Sequence, residues 1–267
     1  MNPFNWNEKD IATSIEFEKI FKTLCLGFQL KSGLQNNFYG INDWVVFNEI
    51  FIQGEYDEAI LSIIKNIKPG SHEIFRVLDL GANSGLFTLR TLDLYLQNKL
   101  EPEKIKIHSI EGNPKTYKDL IRRIKENKEA IEQCVKVHCG LVGNIEGKAE
   151  ITDYQVSCYN SLTPLSGGLF SQQRKLIKVP YLNLNHVTQG STIDLIKCDI
   201  EGAEQDFLEN YPELLSQAKH LIIEIHHSQC DVGRCRSLIT EYGFTLQKSL
   251  RDDPVEVSQL SVEFYSR

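Results

Sequence analysis

Acidic residues stand at the ends of several apolar runs in this chain, and three of those ends also carry glycines. The first is Val77-Leu78-Asp79-Leu80-Gly81-Ala82-Asn83-Ser84-Gly85. An apolar strand that breaks at a glycine turn and opens a helix brings backbone N–H groups close to a ligand, because glycine allows approaches that a Cβ forbids. A tight strand-to-helix turn without a ligand has the same outline. Charge narrows the choice of ligand. A helix N-terminus favours a diphosphate, but Asp79 lies two residues before the first glycine. A fixed carboxylate there repels phosphate and welcomes a cationic amino-acid head group or ribose hydroxyls. Glu111, followed by Gly112-Asn113-Pro114, closes a second apolar run that starts at Ile105, and an acid at that sheet edge can accept from both hydroxyls of a ribose. Asp79 and Glu111 together select a nucleoside without phosphates. Gly81, Ala82, Asn83, Ser84, Gly85, Gly112 and Asn113 are the positions expected to surround it.

Proton-transfer chemistry concentrates further along. In Leu195-Ile196-Lys197-Cys198-Asp199-Ile200-Glu201-Gly202-Ala203-Glu204, strand alternation puts Ile196, Cys198 and Ile200 on one side and Lys197, Asp199 and Glu201 on the other. Charged groups at the end of an apolar strand are expensive to bury unless they pair or face a polar cleft. Lys197, Asp199 and Glu201 are therefore expected to line a site, the alternative being a structural ion pair. Glu204 fits a dipole partner in the first turn of the next helix. Glu224-Ile225-His226-His227 adds Glu224 and His226 on one strand face. An imidazole titrates near neutrality, so His226 is a candidate proton acceptor, or else a capped core histidine; His227 reads as solvent-facing. Two histidines with Asp199, Glu201 and Glu224 are also a set that could bind a divalent cation, but no metal is assigned from the sequence. Cys230 and Cys235 read as packing residues.

The elements that must position these groups follow from texture. The 267 residues are 41% hydrophobic and 24% charged, which describes a globular chain. A formal charge of −7 opposes attraction to a polyphosphate backbone. No apolar run reaches the ~18 residues of a membrane span, and Met1 to Asp10 lacks the pattern of a secretory leader, so a cytoplasmic protein is expected. Seven scattered cysteines fit free thiols in a reducing compartment. Ile11 to Leu26 reads as an amphipathic helix, Gly27 to Gly40 as a break, and Asp43 to Phe51 and Glu58 to Ile67 as further helices. Residues 1–70 thus form a helical extension or cap, and 71–267 the ligand-binding domain. From Phe75 the pattern becomes βαβ-like, with strands over Phe75 to Leu80, Lys104 to Glu111, Val135 to Gly140, Ile193 to Asp199 and Leu221 to His226. Phe244 to Gln247 and Ser258 to Tyr265 close the sheet as a hairpin through Asp252-Asp253-Pro254, making the last strand antiparallel. An insertion at about 146–186 has strand-like edges at Ala149 to Tyr154 and Ile177 to Leu182. Its aperiodic middle, Ser157 to Gln173, is a candidate cover for the site together with Tyr56.

The segments Asp79-Leu80-Gly81-Ala82-Asn83-Ser84-Gly85, Glu111-Gly112-Asn113-Pro114 and Lys197-Cys198-Asp199-Ile200-Glu201-Gly202-Ala203-Glu204 resemble, in order and spacing, the FkbM family of S-adenosylmethionine-dependent methyltransferases over about residues 44–249. Asn83, glycine in many other methyltransferases, is itself a mark of that family; Asn185 departs from it, since aspartate is usual there. The resemblance implies an α/β, Rossmann-like class I methyltransferase fold: a seven-stranded mixed sheet with helices on both faces. It implies S-adenosyl-L-methionine as cofactor, with Asp79, Gly81, Asn83 and Gly85 at the methionine portion, Glu111 at the ribose, and Leu141 and Val142 beside the adenine. Asp199 counts both as a cofactor contact and, with Lys197, Glu201 and His226, as a catalytic candidate. The implied reaction is methyl transfer to a hydroxyl of a sugar, glycan or polyketide-type small molecule, with neither nucleic acid nor membrane as partner. The alternatives are a non-catalytic nucleoside-binding module and a nicotinamide-dependent oxidoreductase.

Overall fold

The stretch from Gly27 to Gly40, where the sequence breaks its helical pattern, folds as a hairpin: β1 (Gly27–Gln29) pairs antiparallel with β2 (Gln35–Asn37). α1 (Ile41–Phe47) follows and continues as a π-helical turn, Asn48–Gln53, that ends where Gly54 takes φ +69°. α2 (Asp57–Ile64) buries Ala59, Ile60, Ile63 and Ile64, the spacing of one helical stripe. The computed structural model describes residues 26–68, 70, 73–153, 175–251 and 260–267. All but the last residue of the helix expected over Ile11 to Leu26, the Ser157 to Gln173 middle of the insertion and the Asp252-Asp253-Pro254 turn lie outside the described residues.

From Phe75 strands and helices alternate as β3 (Phe75–Leu80), α3 (Leu86–Gln97), β4 (Ile105–Glu111), α4 (Pro114–Glu126), α5 (Lys128–Ile131) and β5 (Val135–Cys139). The insertion contributes a separate antiparallel pair, β6 (Lys148–Asp153) and β7 (Lys175–Pro180). The chain then forms α6 (Leu184–Thr188), β8 (Leu195–Cys198), α7 (Glu204–Asn210), α8 (Pro212–Gln217), β9 (His220–His226), α9 (Val232–Glu241), β10 (Thr245–Arg251) and β11 (Leu260–Ser266). The main sheet has seven strands in the order β10-β11-β9-β8-β3-β4-β5. β3, β4, β5, β8 and β9 pair in parallel, and β11 runs antiparallel to β9 and β10, as the sequence predicts. Among the described residues no helix is long and apolar enough to cross a membrane.

Strand alternation divides the core between the two faces. Val77, Ile105, Ile107, Leu195, Ile222 and Val262 pack with α1 to α4 on one face. Leu78, Leu80, Ile110, Ile196, Cys198 and Ile223 pack with α6 to α9 on the other. Each such aliphatic side chain, removed from water, contributes about 1.5–3 kcal/mol before entropy is counted. The residues from 26 to 68 are not a separate layer, because Leu30, Phe47, Ile60 and Ile64 share the first core with Phe87, Leu89 and Leu92 of α3. The chain leaves β3 toward β4 on one side, while β8 pairs with β3 on the other. That reversal opens a crevice at the carboxyl ends of the strands, where open α/β sheets bind ligands.

Candidate active site

The turn after β3 is built by close approach. Gly81 has φ +71°, and a Cβ there would sit 1.6 Å from the Asp199 carbonyl oxygen; no other residue type fits. The Ala82 N–H donates to the Ile110 carbonyl at 2.8 Å, binding the turn to β4. Asn83 takes φ +50°, and its side-chain oxygen accepts from the Ser84 N–H at 2.8 Å, the local bond that lets asparagine hold a left-handed position. Across the crevice Asn113 caps α4, accepting from the Lys115 N–H at 2.8 Å, with Pro114 at the first helical position.

Glu111 joins the two turns. Its carboxylate accepts from the Asn83 N–H at 2.9 Å through one oxygen and from the Asn113 N–H at 2.7 Å through the other. Burial pushes its carboxyl up to about 7, although both backbone donors favour the ionised form. Each oxygen keeps a lone pair, which is what a vicinal diol needs. The crevice beside it, about 700 Å³ with its open mouth, has Ile110, Leu141, Val142 and Ile151 as apolar walls, a size and character that suit a nucleoside. Its charged lining consists of Glu111, Asp199 and Glu201, with no cationic side chain among the described residues. That donor set fits a ribose and a cationic sulfonium amino acid, and it opposes a diphosphate.

Beneath the crevice lies a buried polar layer. Asp79 faces Ser109 on one neighbouring strand and Lys197 on the other. Thr88 in α3 donates to Asp79 Oδ2 at 2.6 Å, and with that proton committed, Ser109 donates to Thr88 Oγ1 at 2.7 Å. Lys197 Nζ donates to the Gly81 carbonyl at 2.8 Å and lies 3.3 Å from Asp199 and 3.7 Å from Asp79. Burial raises the Asp79 carboxyl even though Lys197 and Thr88 stabilise its charge. Burial also works against the Lys197 ammonium, but Asp199 and Asp79 more than offset it and hold its pKa above the usual lysine range. Lys197 is thus a fixed cation that pins the turn.

At the far end of the crevice the carboxyl ends of β8 and β9 bring acids around one imidazole. His226 Nδ1 donates to Glu204 at 3.0 Å, and Nε2 lies 3.5 Å from Glu201 and 3.7 Å from Glu224. Glu204 is fully buried, and its carboxylate also accepts from the Ile200 and Gly202 N–H groups at 3.1 and 3.0 Å and from the Cys230 thiol. Burial opposes the charge of Glu204, but His226 and those donors hold its carboxyl below the usual range. Burial likewise disfavours a charged His226, yet Glu204, Glu224 and Glu201 outweigh it and raise its pKa well above that of a free imidazole. Glu224 is pushed up to about 8 by burial and by the charge of Asp199. Glu201 has φ +54°, a left-handed conformation costing about 1–3 kcal/mol outside glycine.

The structure brings Gly81, Asn83, Glu111, Gly112, Asn113, Leu141, Val142, Asp199 and Glu201 onto one crevice. It turns other expected contacts away. The side chain of Asp79 is wholly buried under the turn, because alternation aims it at the face covered by α3. Ala82 is buried, and the Ser84 hydroxyl donates to Asp43 at 2.6 Å on the far side of the turn. A Cβ on Gly85 would meet Leu120 at 2.6 Å, so that glycine serves the packing of α4. Tyr56 is a core residue set edge-on to Phe87 at 5.2 Å between centroids, and is no cover. Thr88, Ser109 and the orienting role of Glu204 escape sequence reasoning. Only the repeated acid in Glu201-Gly202-Ala203-Glu204 signalled Glu204 at all.

The strand order and the crevice together define a class I methyltransferase fold. Residues 79–246 match the family model described as the methyltransferase FkbM domain, and the chain belongs to that family, whose members are methyltransferases; membership implies S-adenosylmethionine as the methyl donor. No curated protein matches the sequence. Among solved structures the chain is similar to the METTL16 methyltransferase domain (10% identity, 96% of this chain and 91% of that one, TM-score 0.48). It is also similar to the human methyltransferase 10 domain containing protein (10% identity, 98% of each chain, TM-score 0.46). A third is precorrin-6y C5,15-methyltransferase from Geobacter metallireducens GS-15 (8% identity, 79% of this chain and 86% of that one, TM-score 0.41).

Proposed function

We propose that the protein is a cytoplasmic O-methyltransferase acting on a hydroxyl of a sugar, glycan or polyketide-type small molecule, with no nucleic-acid or membrane partner. The observation that carries the reading is the Glu111 carboxylate, held at 2.9 and 2.7 Å by two backbone amides in a crevice whose lining, among the described residues, bears acids and no bases. Bound S-adenosylmethionine supplies an electrophilic methyl group on a sulfonium centre. The chain then has to bind, align and deprotonate. Glu111 would accept from the ribose hydroxyls, and Leu141, Val142 and Ile151 would give the adenine an apolar slot. Lys197 fixes the glycine turn through the Gly81 carbonyl. Asp199 is tied to Lys197 at 3.3 Å, which leaves Glu201, 37% exposed on the same crevice, as the freer acceptor for the hydroxyl proton. Glu204 and His226 fix the wall beside it. Alignment of donor and acceptor supplies most of the rate, and a positioned base adds about 10²–10⁴-fold.

One experiment with two arms tests this reading. Calorimetry with S-adenosylmethionine should show binding to the wild type and its loss in Glu111→Ala. Incubation with a panel of glycosides and macrocyclic alcohols should give methyl ethers by mass spectrometry, with Glu201→Gln slowed about 100-fold or more at unchanged cofactor affinity. Transfer confined to amines, or Glu201→Gln at full rate, refutes the assignment.

A further inference from the structure

We propose that Asp199, Glu224 and His226 bind a divalent cation of the Mn²⁺ class at the acceptor end of the crevice. The inference deepens the methyl-transfer reading and rests on it only for what the cation does there, namely hold and acidify a hydroxyl; binding itself stands on geometry. One ligand atom from each residue lies within 4.8 Å of the other two. Ligands about 2.1 Å from one cation are separated by about 3.0 Å when adjacent and about 4.2 Å when opposed, so small side-chain adjustments close the set. Two carboxylates and an imidazole form a mixed oxygen and nitrogen shell suited to a first-row cation. The three residues come from rigid strand ends. Glu224 and His226 alternate on one face of β9, and Asp199 follows β8, its neighbour in the sheet.

Two independent features point to a ligand. The first is the imidazole's orientation. Its Nδ1 is committed at 3.0 Å to the fully buried Glu204, which leaves Nε2 turned to the acids. A carboxylate behind the ring is the usual support of a metal-bound histidine. The second is Glu224, whose side chain is only 13% exposed. The one polar contact made to it by the described residues is His226 Nε2 at 3.7 Å, too long for a hydrogen bond. A carboxylate withdrawn from water without donors is costly unless a cation meets it. The imidazole already serves Glu204 at shorter range, Lys197 serves Asp199 and Asp79, and Arg251, whose charge also acts on Glu224, is bound to Glu49 and Glu55.

The probe is Mn²⁺ alone, titrated into the full-length, chelator-treated protein at mildly alkaline pH and followed by the loss of the free-ion electron paramagnetic resonance signal. One Mn²⁺ per chain is expected. Glu224→Gln and Glu204→Gln should each weaken it by 10–100-fold, with calorimetric binding of S-adenosylmethionine retained as the test of folding. If Glu224→Gln loses cofactor binding, His226→Gln takes its place in the comparison. Absence of a bound Mn²⁺ in the wild type, with and without cofactor, overturns the site, and so does unchanged affinity in folded Glu224→Gln. Mn²⁺ bound in a protein that ignores S-adenosylmethionine would refute the methyl-transfer reading and leave the cation site standing.

Discussion

Glu111 shows how one side chain couples ligand, pH and stability. Its folded-state carboxyl sits at about 7 against an ordinary value of 4.5, chiefly through burial. A raised carboxyl stabilises the fold below its unfolded value, and that contribution is lost as pH rises through the folded one. Without cofactor, the wild type should therefore lose stability relative to Glu111→Gln between about pH 4.5 and 7; urea denaturation at several pH values is the check, and parallel curves would contradict it. Ribose hydroxyls donate to the ionised form, so S-adenosylmethionine should bind more tightly above pH 7 than below it, and equal calorimetric affinities on both sides would count against diol recognition by this residue. Acid type and position made Asp79 and Glu111 readable in the sequence. Alternation puts Asp79 on the face of Val77, and packing against α3 seals it there, 2.6 Å from Thr88; Lys197, expected to line the site, is likewise buried beneath the crevice.

At the scale of elements, α4 fastens the glycine turn to the N-terminal segment. Arg123 is fully buried; it donates to the Ser84 carbonyl at 2.6 Å, pairs with Asp43 at 3.0 Å, and reaches Asn36 and the Asn37 carbonyl in β2. Arg123→Met should cost about 3–5 kcal/mol, because Asp43 is left buried without its cation, and should weaken cofactor binding through the loosened turn. A loss under 1 kcal/mol in urea denaturation would show that Asp43 finds other partners. The hairpin β1–β2 was illegible because nothing in a Gly, Gln and Asn-rich stretch alternates. Asn127, the C-cap of α4, fixes its register, accepting from the Gln35 N–H at 2.7 Å and donating to the Gln35 carbonyl at 2.8 Å. β3, whose apolar Phe75, Val77, Leu78 and Leu80 are interrupted only by Arg76 and Asp79, is found with the bounds the sequence predicts. β10 runs on past Gln247 to Arg251 because β11 carries its pairing through two register shifts, and an exposed, polar edge strand has no apolar period to read.

Across the whole molecule, residues 26–68 and the sheet share one core, so they should unfold together. Both tryptophans, Trp6 and Trp44, lie in the first 70 residues. Tryptophan fluorescence then reports that segment and far-ultraviolet circular dichroism reports the whole. Coincident urea transitions are expected; an earlier fluorescence transition would mark the segment as a separate cooperative unit. The family was legible through the resemblance carried by three motifs, whereas the order of apolar runs, the glycine turn and the acids at strand ends were enough to indicate a parallel α/β sheet and to lead to the expectation of a phosphate-free nucleoside ligand. Those properties are local, set by period, by glycine's freedom and by the sign of fixed charge. Which acids share a crevice, which are buried beneath it, and that Glu204, Glu224 and His226 converge at one point depend on strand order and register. They join residues far apart in the chain, and only the packed sheet decides them.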